Sequence, residues 1–248
     1  MKVSVITVCF NSANTIKETI VSVNNQSYKN IEHIFVDGLS KDDTLEIINS
    51  YSKTDHSLIS EKDKGIYDAM NKGILKSDGD IIMILNSDDI LYSNNTISSI
   101  VDVFKKSNTE MVYGNMYISE EKNIRSYVRD WKMKKFKPGS FIKGWHPPHP
   151  ALIVKKDVYN KYGLFDLNLR IAADFELMYR FFEVFKCNSK YHDEYITVMR
   201  KGGDSTNIKG IIKGNSDIRK AFNKHKVKLP FSYFFIRYTN KILQKLIS

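Results

Sequence analysis

Three acid or amide side chains, Asn86, Asp88 and Asp89, stand close together in Leu85-Asn86-Ser87-Asp88-Asp89, at the end of five consecutive apolar residues, Ile81 to Leu85. Two carboxylates and an amide at that spacing are hard oxygen donors, suited to holding Mg²⁺ or Mn²⁺ against a diphosphate. The competing reading is an ordinary turn, since Asn, Ser and Asp all favour turns. Further polar residues stand where other apolar runs end: Thr7 and Asn11, Asp37 in Val36-Asp37-Gly38, and Asp63 in Asp63-Lys64-Gly65. Carboxylates gathered at the ends of neighbouring strands can bind a base, a ribose and a metal in a row. Each has a structural rival, with Asp37 and Asp63 as turn residues, Asp43 as a helix cap and Tyr67 as plain core.

The elements that would bring these residues together follow from periodicity. The run at Ile81–Leu85 reads as a strand buried on both faces, and ligands bind at the carboxyl ends of strands in open α/β sheets. Strands are also predicted at Val3–Cys9, Ile31–Val36, Leu58–Ser60 and Met111–Tyr117, with helices at Asn14–Asn24, Asp42–Tyr51, Ile66–Leu75 and Asn94–Phe104. This alternation implies an α/β fold with a mostly parallel, Rossmann-like sheet flanked by helices. The second half is less regular. Lys132–Lys143 carries five lysines and no acid, and Pro147, Pro148 and Pro150 stiffen the stretch after it. A strand near Ala151–Val154, a helix near Lys156–Lys161 and a longer helix from about Ala172 to Phe185 follow. This half reads as an elaboration over the carboxyl rim, where a second substrate would sit.

Composition narrows the classes. The 248 residues are 42% apolar with no repeat or low-complexity tract, which fits one large domain or a domain with an appendage. Cys9 and Cys187 lie far apart and read as buried thiols of a reducing compartment. Val3 to Phe10 reads as a first strand, not a signal-peptide core. No apolar run reaches spanning length, so a soluble or peripheral protein on the cytoplasmic side is expected. Of the net charge of +10, the region from Lys209 onward carries ten Lys or Arg against one acid, Asp217. That tail also holds the aromatic stretch Leu229–Tyr238 and the segment Lys241–Ile247. Two readings stay open, contact with an anionic membrane surface and a C-terminal helix packed on the domain with a solvated basic face. Nucleic acid is not expected, because the lysines accompany no reading motif. No Gly-x-Gly-x-x-Gly follows the first strand, which argues against a dinucleotide-binding dehydrogenase. His146 and His149 do not form a zinc pair, since prolines flank them and no third ligand is evident.

Four blocks in order carry a resemblance. They are Val3–Asn11, Val36-Asp37-Gly38-x-Ser40-x-Asp42-x-Thr44, Asp63–Gly73 and Leu85–Asp89. Together they resemble the family 2 glycosyltransferases, inverting enzymes of the glycosyltransferase A-type fold with nucleotide-sugar donors. The likeness spans roughly residues 1–205 and is nearest to bacterial enzymes of O-antigen, capsule and exopolysaccharide assembly. It implies that Thr7 and Asn11 touch the nucleotide, that Asp37 recognises the base and that Asp63 contacts base or ribose. Asp88 matches the metal-binding last acid of the family's Asp-x-Asp motif, with Asp89 behind it. The first acid of that motif is Asn86 here, whose amide oxygen can still accept a hydrogen bond.

In the second half, Ile171-Ala172-Ala173-Asp174-Phe175-Glu176-Leu177 resembles the family's acceptor-site acid. This makes Asp174 the general base, with an N-cap as its structural rival and Glu176 and Asp166 as local competitors. Arg200-Lys201-Gly202-Gly203-Asp204-Ser205 resembles the loop that closes over the donor, so Arg200 or Lys201 would hold the diphosphate. His149 would line the acceptor pocket. The implied organisation is a nucleotide-sugar half (1–117), an acceptor and catalytic-base half of the same domain (118–205) and a basic helical tail (206–248). The implied reaction is metal-dependent, inverting transfer from a nucleoside-diphosphate sugar, by family habit a UDP-sugar. The acceptor would be a glycan or a lipid-linked acceptor of surface polysaccharide or lipopolysaccharide synthesis. A nucleotide-sugar-binding protein without transferase activity is the alternative.

Overall fold

All seven residues of Val3–Cys9, strand β1, are buried, which is what a strand covered on both faces requires. The computed structural model describes residues 1–202, 208–237 and 239. Helix α1 (Ile16–Asn24) leads to β2 (Ile31–Asp37), α2 (Thr44–Tyr51) to β3 (Asp55–Ser60), and α3 (Ile66–Lys76) to β4 (Ile81–Ile84). These strands pair in parallel in the order β3-β2-β1-β4. Along β4 and its next residue the side chains divide between two cores. Ile82 and Ile84 face the core that α3 covers with Ala69, Met70 and Ile74. Ile81, Met83 and Leu85 face the core covered by α4 (Thr96–Lys106). Gly73 lets α3 approach β1, because a Cβ there would lie 2.4 Å from Ile6.

The sheet continues through residues of the second half. After β5 (Ile90–Leu91) and β6 (Met111–Ser119) come β7 (Tyr127–Trp131), β8 (Leu152–Lys155) and β9 (Ser189–Arg200). Strand β8 enters antiparallel between β4 and β6, β9 pairs in parallel with β6, and β5 closes the far edge. Strands β1–β4, β6 and β9 run one way and β5, β7 and β8 the other, so the sheet is mostly parallel. The second half is therefore more than a cover over the rim, since it supplies a strand in the middle of the sheet. Strands β5, β7 and β9 were not expected from periodicity. Only Ile196, Thr197 and Val198 of the twelve residues of β9 are buried.

Helix α5 (Lys156–Tyr162) follows β8. The helix expected over 172–185 is α6 (Ala173–Tyr179), continued by a π-helical turn at Arg180–Val184. Helix α7 (Ile208–Lys224) places Ile218, Ala221 and Phe222 in the same core as α3 and α6. The described part of the basic tail is thus packed onto the domain. Gly203 to Ser205, Tyr238 and Lys241–Ile247, which belong to the loop and tail singled out above, lie outside the described residues.

Candidate active site

The carboxyl ends of β1, β2 and β3 form one side of a rim. Asp37, last residue of β2, is fully buried. Its carboxylate accepts from Ser40 N–H (3.0 Å), Ser40 Oγ and Ser60 Oγ (2.7 Å). Ser40 Oγ in turn accepts from Asn11 N–H at 2.8 Å, and Asn11 Oδ1 accepts from Lys41 N–H at 2.9 Å. Asn11 has φ 49°, the left-handed region that Asn tolerates better than most residues. Asp63 reaches across this corner. A Cβ on Gly38 would lie 2.7 Å from Asp63 Oδ2 and 3.4 Å from the Phe10 ring, so only glycine lets the three close up. Phe10 is 61% exposed beside them. Thr7 lies deeper, fully buried, and shares a 2.9 Å hydrogen bond with His33.

Behind β4 the Asn86–Asp89 loop is braced from three directions. Ser12 and Ser87 hydroxyls meet at 2.9 Å, and Thr19 Oγ1 donates to the Asp89 carbonyl at 2.7 Å. The third brace is Arg200, at the end of β9. Its N–H donates to Asp89 Oδ1 (3.0 Å) and its Nε to the Asp88 carbonyl (3.3 Å). Its Nη1 reaches the Glu121 carbonyl (2.7 Å) and its Nη2 pairs with Glu18. The guanidinium expected on the diphosphate thus contacts the loop through Nε and Glu121 and Glu18 through its other nitrogens. Asn86 Nδ2 donates to Asp89 Oδ2 at 3.1 Å, while Asn86 Oδ1 is enclosed and has no hydrogen-bond partner among the described residues. Burial pushes the Asp88 carboxyl above its usual range. It pushes Asp89 further, because Asp89 is fully enclosed and has the Asp88 charge beside it.

Across the rim, Asp174 lies in the first turn of α6 and is half-buried. The N-cap is Ala172, so Asp174 does not cap this helix. Its Oδ1 accepts from Tyr67 Oη at 3.1 Å and from Phe175 N–H at 2.8 Å. Tyr67 Oη is also 2.9 Å from the Ile171 carbonyl, and burial with Asp174 alongside raises the phenol well above its usual range. Asp217 of α7 accepts from the N–H groups of Arg170 and Ile171, both at 2.9 Å, fixing the backbone ahead of the acid. His149 is buried edge-on to Phe165 with its pKa lowered by burial, an effect that the Asp174 charge partly offsets.

The competing acids are otherwise engaged. Glu176 is fully buried, with Arg180 (3.0 Å), His225 (2.8 Å) and Lys224 (3.3 Å) around its carboxylate. Burial alone would raise this carboxyl, but the hydrogen bonds from His225 and Arg180 outweigh it and hold it low. Asp166 pairs with Lys224 at 2.6 Å.

The sequence profile of Glycosyl transferase family 2 matches residues 4–160. The chain belongs to glycosyltransferase family 2. An uncharacterized glycosyltransferase of Mycobacterium tuberculosis is 31% identical over 183 residues, 72% of this chain and 68% of that protein. A PGL/p-HBAD biosynthesis glycosyltransferase of Mycobacterium bovis is 28% identical over 184 residues, 72% of this chain and 69% of that one. The structure of S. aureus TarS 1-349 in complex with UDP-GlcNAc superposes with a TM-score of 0.68 at 18% identity, over 89% of this chain. The chain spans 65% of that structure's length, just under two thirds. A Pyrobaculum calidifontis mannosyltransferase in complex with GDP-Man and Mn²⁺ gives 0.67 at 15% identity, over 96% of this chain and 68% of that one. At these identities the two structures establish the fold, the glycosyltransferase A-type.

Within this family 2 glycosyltransferase the Asn86–Asp88 corner fits a divalent cation. Among the described residues Asn86 Oδ1 is an enclosed acceptor without a donor, and Asp88 adds a carboxylate whose negative charge burial disfavours. Among the described residues no three His, Cys, Asp or Glu side chains converge as a metal cage. Few protein oxygens with positions left for water and phosphate is the pattern that Mg²⁺ and Mn²⁺ accept. Four residues escaped the sequence reading: Phe10, Glu18, Tyr67 as a partner of Asp174, and Asp217. Only Phe10, an aromatic beside Asn11 at a strand end, left a local signal.

Proposed function

We propose that this glycosyltransferase is a metal-dependent, inverting enzyme that transfers a sugar from a nucleoside-diphosphate sugar, with uridine as the base. The observation that carries the reading is the tie between the candidate base and the first half of the chain. Asp174, in the first turn of α6, accepts from Tyr67 of α3, the helix that directly follows the Asp63 loop. In this reading the Phe10 ring stacks on the base and Asp63 takes base or ribose. Asn11 orders the first loop. Thr7 and Asp37 have no accessible surface, so they serve the nucleotide through the groups they hold. Asp88 and Asn86 would hold Mg²⁺ or Mn²⁺, which when bound supplies positive charge beside the leaving diphosphate. Arg200 positions that corner.

Asp174 takes the proton from the acceptor hydroxyl as its oxygen attacks the anomeric carbon. The nucleoside diphosphate leaves from the opposite face, and the configuration inverts. Buried His149 lines the acceptor side.

The TarS and mannosyltransferase complexes, with UDP-GlcNAc and with GDP-Man and Mn²⁺, support a nucleotide-sugar donor. Among the described residues no helix is long and apolar enough to cross a membrane. The acceptor in this reading is a glycan or lipid-linked molecule of surface polysaccharide synthesis, met by a peripheral enzyme at the inner face of the cell membrane through the basic tail. The test is calorimetric titration of UDP, GDP and dTDP, each with and without Mn²⁺. UDP binding that requires Mn²⁺ is expected. Equal binding without metal sinks the metal assignment, and binding of GDP or dTDP alone changes the base.

A further inference from the structure

The tail is not the whole of the basic surface, because the fold sets it against a second lysine-rich segment. The backbone of Arg237 lies so close to Gly144 that a Cβ on the glycine would come within 3.2 Å of Arg237 Cα. Next to Gly144, Trp145 packs against Phe136 in a tilted pair with ring centroids 5.4 Å apart. Lys134, Lys135 and Lys137, all exposed, surround Phe136 in the chain. The Arg237 guanidinium lies over the Phe175 ring at 5.7 Å, and Phe175 is the residue after Asp174. Just before Arg237 in the chain, Phe231 is 107% exposed and Phe235 73%. Two stretches a hundred residues apart in sequence therefore meet around Phe175, the neighbour of the candidate base in the chain.

We propose that Lys134, Lys135 and Lys137 form with Phe231 and Phe235 one composite surface that docks on an anionic lipid bilayer. This deepens the membrane reading above and rests on it. Charge complementarity supplies one part of the argument. Lys132–Lys143 holds five lysines and no acid, and the region from Lys209 holds ten basic residues against one acid. Each basic residue near an anionic leaflet contributes about 1 kcal/mol. The phenylalanines supply the other part. Exposed aromatic rings gain by entering an apolar phase, and the headgroup boundary offers that phase directly beside the anionic charge. A nucleic-acid backbone offers the charge alone. Docked this way, the surface that meets the bilayer adjoins helix α6, which carries Asp174, where a lipid-linked acceptor would be presented.

The experiment is co-sedimentation of the full chain with phosphatidylcholine vesicles, with and without phosphatidylglycerol. Wild type is expected to bind the mixed vesicles and not the neutral ones. Replacing Lys134, Lys135 and Lys137 together with Gln should lower the partition coefficient about a hundredfold, from roughly fivefold per basic residue. Phe231→Ala with Phe235→Ala should lower it by at least about tenfold. These side chains are exposed, and an unchanged melting temperature verifies that each variant is folded. If the triple Gln variant binds as wild type while the Phe pair fails, the composite surface is wrong and the tail alone is the contact. If wild type ignores anionic vesicles, the membrane reading itself is lost. If the Phe pair binds like wild type and duplex DNA displaces the vesicles, the surface is a polyanion site and the proposal is overturned.

Discussion

Tyr67 Oη and Asp174 Oδ1 meet at 3.1 Å although 107 residues separate them in the chain. The contact joins α3, which follows the Asp63 loop, to α6, which carries the candidate base. It makes the position of the acid depend on elements far apart in the chain.

Asp174→Asn removes the carboxylate and retains its shape. Turnover should fall by about 10²–10⁴-fold, the usual contribution of a general base, while affinity for the nucleoside diphosphate stays within about twofold. Steady-state kinetics with titration calorimetry separates the two. Turnover near the wild-type rate means that the proton goes elsewhere.

Tyr67→Phe deletes one hydrogen bond to that carboxylate. A bond to a charged group contributes about 1.5–3 kcal/mol, so kcat should fall roughly tenfold to a hundredfold with little change in donor KM. A normal kcat in the Phe variant makes Tyr67 a packing residue only.

Phe10→Ala should weaken UDP binding by about tenfold, in line with about 1–3 kcal/mol for a base stacked on an aromatic ring. Phe10→Tyr should restore it. If Ala and Tyr variants bind UDP alike, the ring does not touch the base.

Arg200→Gln releases the Asp88–Asp89 loop from Glu18 and Glu121. Residues that orient metal ligands typically change affinity about 10–100-fold when replaced. Mn²⁺ affinity in the presence of UDP, read by electron paramagnetic resonance, should weaken by that much. Unchanged Mn²⁺ affinity with weakened UDP binding returns Arg200 to the diphosphate.

His33 governs stability in acid. Burial, with His56 nearby, pushes its pKa down to about 3 from about 6.5. The native state keeps His33 neutral across that window while the unfolded chain takes up a proton. Stability therefore falls as pH drops from about 6.5 towards 3, by at most about 1.4 kcal/mol per pH unit from this residue. Urea melts at pH 7 and pH 5 should show His33→Gln losing less stability than wild type between the two. Equal losses place the acid sensitivity in other groups.

The sequence by itself determined the strands whose burial is written in every residue. Val3–Cys9 and Ile81–Ile84 came out as strands because an apolar run covered on both faces needs no partner to be recognised. It also determined the rim acids and, through four short blocks in order, the family. Strand β9 is different. Its first seven residues, Ser189 to Tyr195, are mainly polar and none is fully buried, so only pairing with β6 makes them a strand. What β9 delivers is Arg200, 111 residues from the Asp89 it holds. Asp217 and Ile171 likewise meet across 46 residues. Local periodicity encodes which face of an element is buried. Which polar group meets which across the sheet rim depends on strand order and register, and those are decided by packing the whole chain at once.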